Sequence, residues 1–276
     1  MSYENHKESF KAVVFDLDDT LLKDDLSISA ETVGIFHHLN DAGISFVAAS
    51  GRAKMSMRPF LDRLQCVRFY ISCNGAEIWD GYTHTSVSRC MFPVETSRQI
   101  AEFGNEWDCY AQTYSDDMFY YNRQDEYAEK YAAASMLKGK LVGDLSCFIQ
   151  EERNKILMMA DESKIAAMLQ EARSRFFGKA SVTCSKPVYL EFNPPDATKG
   201  NALLKCSDLL GIKPEQFIAF GDSLNDLSML QKAGLSVAVS NAWPEIRSAC
   251  DAVCGSNEED GVAHFLQDFF ASERKV

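Results

Sequence analysis

Ala12-Val13-Val14-Phe15 is an unbroken apolar run that ends abruptly in Asp16-Leu17-Asp18-Asp19-Thr20. A strand that is apolar on both faces is stable only inside a sheet covered on both sides, which is the signature of a parallel α/β architecture. The same pattern returns at residues 44–49, 69–72, 217–220 and 236–239. Between these runs lie helical periods. Ser29 is placed to cap a helix reaching about residue 42, with Val33, Phe36 and Leu39 on one face and Gly43 as its stop. A short helix is expected to open near Pro59 with Phe60 and Leu64 inward, and others to cover residues 199–210, 224–232 and 261–270. The fold class expected is α/β: a Rossmann-like parallel sheet core with helices on both faces.

This rhythm is interrupted. Between about residue 82 and residue 193, alternating strand-like stretches (154–159 and 188–192) sit among helical ones (94–107 and 162–176). Aromatic residues gather from Tyr110 to Tyr121 and read as core, Asp116-Asp117 reads as a turn, and Pro194-Pro195 marks a boundary. The expected division is a discontinuous α/β core, 1–81 with 194–276, and an inserted α+β cap, 82–193.

At 276 residues, 46% hydrophobic and 25% charged, the chain can bury a sizeable core. Its net charge of −12 argues against nucleic acid as a partner. No apolar run approaches the roughly 18 residues of a membrane-spanning helix, so no membrane partner is expected. Residues 1–11 are polar, lack the apolar centre of a signal peptide, and read through residue 10 as a frayed tail. Nine cysteines, an odd number with no CxxC, read as reduced thiols of a cytoplasmic protein, and the partners a zinc site needs are missing. A monomer or a small homo-oligomer is compatible with all of this.

Four polar clusters fall where strands end or helices begin, the place where ligands collect in open α/β sheets. They are Asp16 to Thr20, Ser50-Gly51-Arg52, Lys199-Gly200, and Gly221-Asp222-Ser223-Leu224-Asn225-Asp226. On an extended backbone Asp16 and Asp18 would project to one face, and like charges so close call for a cation or a shared proton. Together the clusters form a kit for phosphoryl transfer. The Asp16 carboxylate can attack phosphorus. Mg²⁺, a hard cation, suits Asp16 and Asp222. Lys199 can neutralise phosphate charge, and the Ser50 hydroxyl, the Gly51 amide and Asn225 can donate to non-bridging oxygens. Asp18 is placed to protonate the leaving oxygen and then to activate water.

In this order the clusters resemble the haloacid dehalogenase superfamily of phosphohydrolases. DxDxT is Asp16, Asp18 and Thr20; the serine after the second strand is Ser50; the lysine is Lys199; and GDxxND is Gly221, Asp222, Asn225 and Asp226. Ala49-Ser50-Gly51-Arg52, Ser72-Cys73-Asn74-Gly75-Ala76 and Lys199-Gly200-Asn201-Ala202-Leu203 are similar to its Cof-type branch, which carries a large α/β (type IIB) cap between the second and third motifs. The resemblance implies a Mg²⁺-dependent phosphatase of a small phosphorylated metabolite (a sugar phosphate, nucleotide or cofactor phosphate). It makes Asp16 nucleophile and metal ligand, and Asp18 acid/base with its main-chain carbonyl also on the metal. Asp222 becomes the remaining metal carboxylate, and Ser50, Gly51, Lys199 and Asn225 the phosphate holders. Asp226 either supports the metal shell or orients Lys199. Thr20 is a supporting residue, and Arg52 either contacts substrate or cap or pairs with a surface acid. Ser223 stands where the family often has Gly, a departure small enough to leave function intact. Asp19 supports the turn. The cap is expected to close over the substrate and read the leaving group.

Two other readings use the same residues. A phosphomutase would return the phosphoryl group from the same aspartyl-phosphate to substrate. A phospho-accepting receiver-like signalling domain also combines paired acids, Mg²⁺, a hydroxyl residue and Lys. Its phosphorylated Asp, however, comes from a later strand than its acid pair.

Overall fold

The structure is a computed structural model that describes residues 9–115, 118–184 and 186–271. The expected turn at Asp116-Asp117 lies outside them, as does the tail before Ser9. In chain order the fold opens with β1 (Ala12–Asp16), α1 (Ala30–Asp41), β2 (Ser45–Ala49), α2 (Lys54–Leu64), β3 (Val67–Ser72), β4 (Glu77–Asp80) and β5 (Ser86–Arg89). It continues with α3 (Val94–Glu106), β6 (Tyr110–Ser115), β7 (Met118–Tyr121), α4 (Glu126–Ser135), β8 (Lys138–Leu141) and α5 (Leu145–Phe148). Then come β9 (Ile156–Met159), α6 (Glu162–Arg175), β10 (Ser181–Thr183) and β11 (Tyr189–Asn193). The last stretch holds α7 (Lys199–Leu210), β12 (Phe217–Gly221), α8 (Leu227–Leu230), β13 (Leu235–Ala238), α9 (Pro244–Ala249), β14 (Ala252–Val253) and α10 (Gly261–Ala271).

The chain divides into two compact units. One comprises the described residues up to Gly51, Met57–Ser88 and those from Thr198 onward; the other comprises Arg52–Ser56 and Arg89–Ala197. The division therefore falls later than the expected 81/82 and 193/194 boundaries. The cause is a strand pair that the sequence reading did not assign. β4 runs antiparallel to β3, and β5 follows it at the sheet edge, so residues up to 88 stay with the first unit.

The sheet of the first unit has the order β14-β13-β12-β1-β2-β3-β4-β5. It is parallel from β14 to β3, as expected of the core, and the antiparallel β4 makes the whole sheet mixed. All five residues of β1 and of β12 are buried, as unalternated apolar runs require. Helix α1 begins where Ser29 accepts a hydrogen bond from the Thr32 amide, and it packs Phe36 against the sheet. The Phe36 ring stacks on Phe46 of β2 at 4.5 Å and meets Phe15 of β1 edge-on at 5.3 Å. Phe10 is not frayed: it is 7% exposed and packs edge-on against Phe269 of α10. Helix α2 opens at Lys54 rather than near Pro59. Its face of Met57, Phe60 and Leu64 is buried, while Pro59 is exposed and forfeits only the hydrogen bond to the Met55 carbonyl.

The second unit is a six-stranded sheet, β10-β11-β9-β6-β7-β8, antiparallel except for the β7/β8 pair. One face buries Ile156, Met158, Leu190 and Phe192 under α3 and α6. The other buries Tyr110, Tyr114, Phe119 and Tyr121, so most of the aromatic cluster is core. Among the described residues no helix is long and apolar enough to cross a membrane, and all nine cysteines are free thiols.

Phe36 joins α1 to the two central strands with a fully buried ring. Phe36→Ala is expected to lower the unfolding free energy by about 3–5 kcal/mol, whereas Phe177→Ala changes it by about 0.5 kcal/mol at most, since Phe177 is 88% exposed. Chemical denaturation of both variants checks this.

Candidate active site

Parallel register brings the distant motifs to one edge. Phe15 pairs with Phe220, so Asp16 and Gly221 come level at the ends of β1 and β12. Asp16 pairs with Ala49, so Ser50 emerges beside it at the end of β2, and the Ser50 amide donates to the Ile71 carbonyl of β3 at 2.9 Å. The strand β1 stops at Asp16. The amides of Thr20, Leu21 and Leu22 then all turn back onto the Leu17 carbonyl, at 3.4, 3.0 and 2.8 Å. Asp18 is therefore half-buried in a turn and not two places along an extended strand, so the simple alternation argument does not apply to it. Asp19 sits in the left-handed region at φ +57°, which Asp tolerates, and its carbonyl accepts from the Asn241 side chain at 2.7 Å.

The centre of the cluster is Lys199, the first residue of α7, with no solvent exposure. Its Nζ donates to Asp16 Oδ1 at 2.5 Å and to Asp226 Oδ1 at 2.6 Å. Asp226 is spoken for at its other oxygen as well: Oδ2 accepts the amides of Asp222 at 3.1 Å and Ser223 at 3.2 Å. Of the two expectations for Asp226, orienting Lys199 matches this geometry. Thr20, 1% exposed, donates through Oγ1 to Asp222 Oδ1 at 3.2 Å.

Two glycines permit this packing. A Cβ on Gly200 would lie 2.2 Å from the Ser228 carbonyl oxygen, so only glycine lets the start of α7 approach the chain around α8. A Cβ on Gly221 would lie 2.6 Å from Cβ of Asp226, in the space that the carboxylate arm occupies. Because residues 222–226 form this turn around the Asp226 carboxylate, α8 begins at Leu227 and is shorter than the expected 224–232.

The electrostatics are lopsided. Asp16, Asp222 and Asp226 offer carboxylate oxygens within 4.8 Å of one another and are all buried. Burial pushes the Asp16 carboxyl well above its ordinary range; Lys199 opposes the shift, and Asp226, Asp222 and Asp18 reinforce it. Burial and the neighbouring Asp226 raise Asp222 to about 7. Burial alone would push Lys199 down, but Asp16 and Asp226 more than offset it and keep the ammonium charged. One cation thus faces three acids, and two of those acids hold protons more tightly than normal. A hard oxygen donor set with surplus negative charge fits a divalent cation.

Ser50 is fully buried, and Gly51 follows it in the same unit. Asn225 is exposed, and its Nδ2 donates to Asn74 Oδ1 at 3.1 Å. The local sequence signal for Asn74 is Asn before Gly at a strand end, and the residue adopts φ +57°. Its amide donates to the Ser50 carbonyl at 3.0 Å. Arg52 clusters with the second unit and not with these residues.

The sequence model of the haloacid dehalogenase-like hydrolases matches residues 13–266. A 5-amino-6-(5-phospho-D-ribitylamino)uracil phosphatase of Bacillus subtilis (strain 168) is 30% identical over 290 residues, covering 95% of this chain and 99% of its own. An HMP-PP phosphatase of Cronobacter sakazakii is 29% identical over 258 residues, covering 91% and 93%. Among solved structures, a haloacid dehalogenase-like hydrolase from Bacteroides thetaiotaomicron superposes with a TM-score of 0.88 at 29% identity, covering 95% of this chain and all of that one. The chain belongs to the haloacid dehalogenase-like hydrolases, in their Cof-type phosphatase branch.

Proposed function

We propose that this phosphatase is Mg²⁺-dependent and hydrolyses the phosphate monoester of a small metabolite through an aspartyl-phosphate on Asp16. The observation that supports this best is the convergence of Asp16, Lys199, Asp222 and Asp226 in one buried cluster with surplus negative charge. Asp16, Asp222 and the Asp18 main-chain carbonyl would hold the metal. Bound there, Mg²⁺ supplies positive charge that offsets repulsion between the phosphate and the attacking carboxylate.

The protein's own groups do the rest. Lys199 opposes the rise in the Asp16 proton affinity, directs one of its oxygens, and adds positive charge beside the phosphate. The Ser50 hydroxyl, the Gly51 amide and the Asn225 amide donate to non-bridging oxygens. The second Asp16 oxygen bonds to phosphorus while the ester P–O bond breaks, and Asp18 gives its proton to the leaving oxygen. Asp18 then takes a proton from water as that water attacks phosphorus. Inorganic phosphate leaves and the Asp16 carboxylate is restored. Half-buried Asp18 retains the access to solvent that this exchange needs. The inserted unit is assigned the choice of leaving group. The relatives named above act on compounds of this size, and the nine free thiols fit a reducing, cytoplasmic setting. Release of inorganic phosphate without a bisphosphate activator separates hydrolysis from the mutase reading.

Asp16→Asn is expected to lower phosphate release by more than about a thousandfold on every ester tested, and to abolish acid-stable labelling of the protein by a ³²P-labelled ester. Wild-type turnover in that variant would remove Asp16 as nucleophile.

A pH dependence follows from Asp222. Its folded-state pKa, near 7, lies above the ordinary 3.8, so the folded protein binds this proton more tightly than the unfolded chain. In metal-free buffer its contribution is unfavourable at pH 8 and is relieved as pH falls through 7. Mg²⁺ must bind the carboxylate, so its stabilisation runs the other way. Thermal melts are expected to show a larger rise with Mg²⁺ at pH 8 than at pH 5.5, and Asp222→Asn is expected to lose most of that difference.

A further inference from the structure

Asn225 carries a carboxamide with two N–H donors and one carbonyl acceptor. Its carbonyl end is held by Ser223, whose Oγ donates to Asn225 Oδ1 at 2.7 Å. One N–H is held by Asn74 Oδ1 at 3.1 Å. The second N–H has no partner among the described residues. Turning the amide over would set oxygen against oxygen at Asn74, so with Asn74 as placed that contact fixes which end is which. Asn74 is itself braced. Its backbone is left-handed, its amide donates to the Ser50 carbonyl at 3.0 Å, and its side chain lies against Gly51, where an added Cβ would come within 3.0 Å of Oδ1.

We propose that Ser223 and Asn74 are positioning residues that grip the Asn225 amide from both ends and present its remaining N–H to a phosphate oxygen. Asn74 also ties that donor to the Ser50-Gly51 loop, so donors from two strand ends are set at a fixed spacing before substrate arrives. Ser223, the departure from the glycine common in the family, thus gains a task that glycine has no atom to perform. This rests on the reading above that Asn225 holds the phosphate.

The test uses the full chain with Mg²⁺, p-nitrophenyl phosphate as substrate and inorganic phosphate as competitive inhibitor. Ser223→Ala removes only the hydroxyl; Asn74→Gly removes the amide but keeps the left-handed backbone accessible. Each is expected to raise KM and the phosphate Ki about 3- to 10-fold, as loss of one hydrogen bond implies, with kcat changed less than about 3-fold. Melting temperatures should stay within about 2 °C of wild type. In an Asn225→Ala background neither change should weaken binding further, because each acts through that amide. Losses that add in full to that of Asn225→Ala overturn the proposal, as do unchanged KM and Ki in Ser223→Ala or Asn74→Gly. If Asn225→Ala itself keeps wild-type KM and Ki, the assignment of Asn225 to phosphate fails, and the positioning role falls with it.

Discussion

The ammonium of Lys199, buried between the carboxylates of Asp16 and Asp226, ties three motifs into one object. A lysine with no solvent exposure has to be compensated, and here two carboxylates do it. The pair is not obviously a gain in stability, since desolvating the ions opposes their attraction; what it fixes is arrangement. Removing either acid would leave a buried charge short of a partner, a loss of about 3–5 kcal/mol. The constraint reaches well beyond the cluster. Lys199 must stand at the start of α7, so Gly200 must be bare enough for α7 to close on Ser228. Asp226 must face inward, so Gly221 must leave it room and residues 222–226 must turn around it.

The sheet makes the arrangement possible at long sequence range. Asp16 and Lys199 are separated by 183 positions, and Thr20 and Asp222 by 202. Parallel strands in fixed register end level with one another, so the residue after each strand is delivered to the same edge whatever lies between. That is why an insertion as large as Arg89–Ala197 can interrupt the first unit without displacing its chemistry. The register is pinned where the apolar runs end, since a slip would carry Asp16 or Asp222 into the apolar stretch.

Much of this was legible because it rests on local signals. The unalternated apolar runs marked β1, β2, β3 and β12, and Ser29 and Gly43 marked the ends of α1, since capping chemistry is written in one or two residues. What escaped depends on partners distant in sequence. The Glu77–Asp80 strand is short and bounded by charge, and only its pairing with β3 makes it a strand. Pro59 looked like a helix start, yet α2 extends five residues before it because its apolar face outweighs one lost hydrogen bond. In the site, the placement of the polar clusters at strand ends was readable, but their partnerships were not. Asp18 is close enough to Asp16 to raise its carboxyl, yet strand alternation does not put it there, since the chain turns at Leu17. Asn74 and Ser223 had no chemical signature alone; both contact Asn225, 151 and two positions away.

The charge imbalance links the fold to the reaction. A protonated Asp16 would be a poor nucleophile, and burial among acids drives it toward protonation. The same burial strips water from a site where any added positive charge then acts at low dielectric and so counts for more. Lys199 alone cannot balance Asp16, Asp222 and Asp226, and a second lysine would oppose the charged state of the first. A divalent cation would offset this, since the carboxylate oxygens that could hold it already converge. Burial and the neighbouring acids raise the proton affinity of Asp16 while Lys199 lowers it, so added positive charge at this cluster would favour the ionised carboxylate.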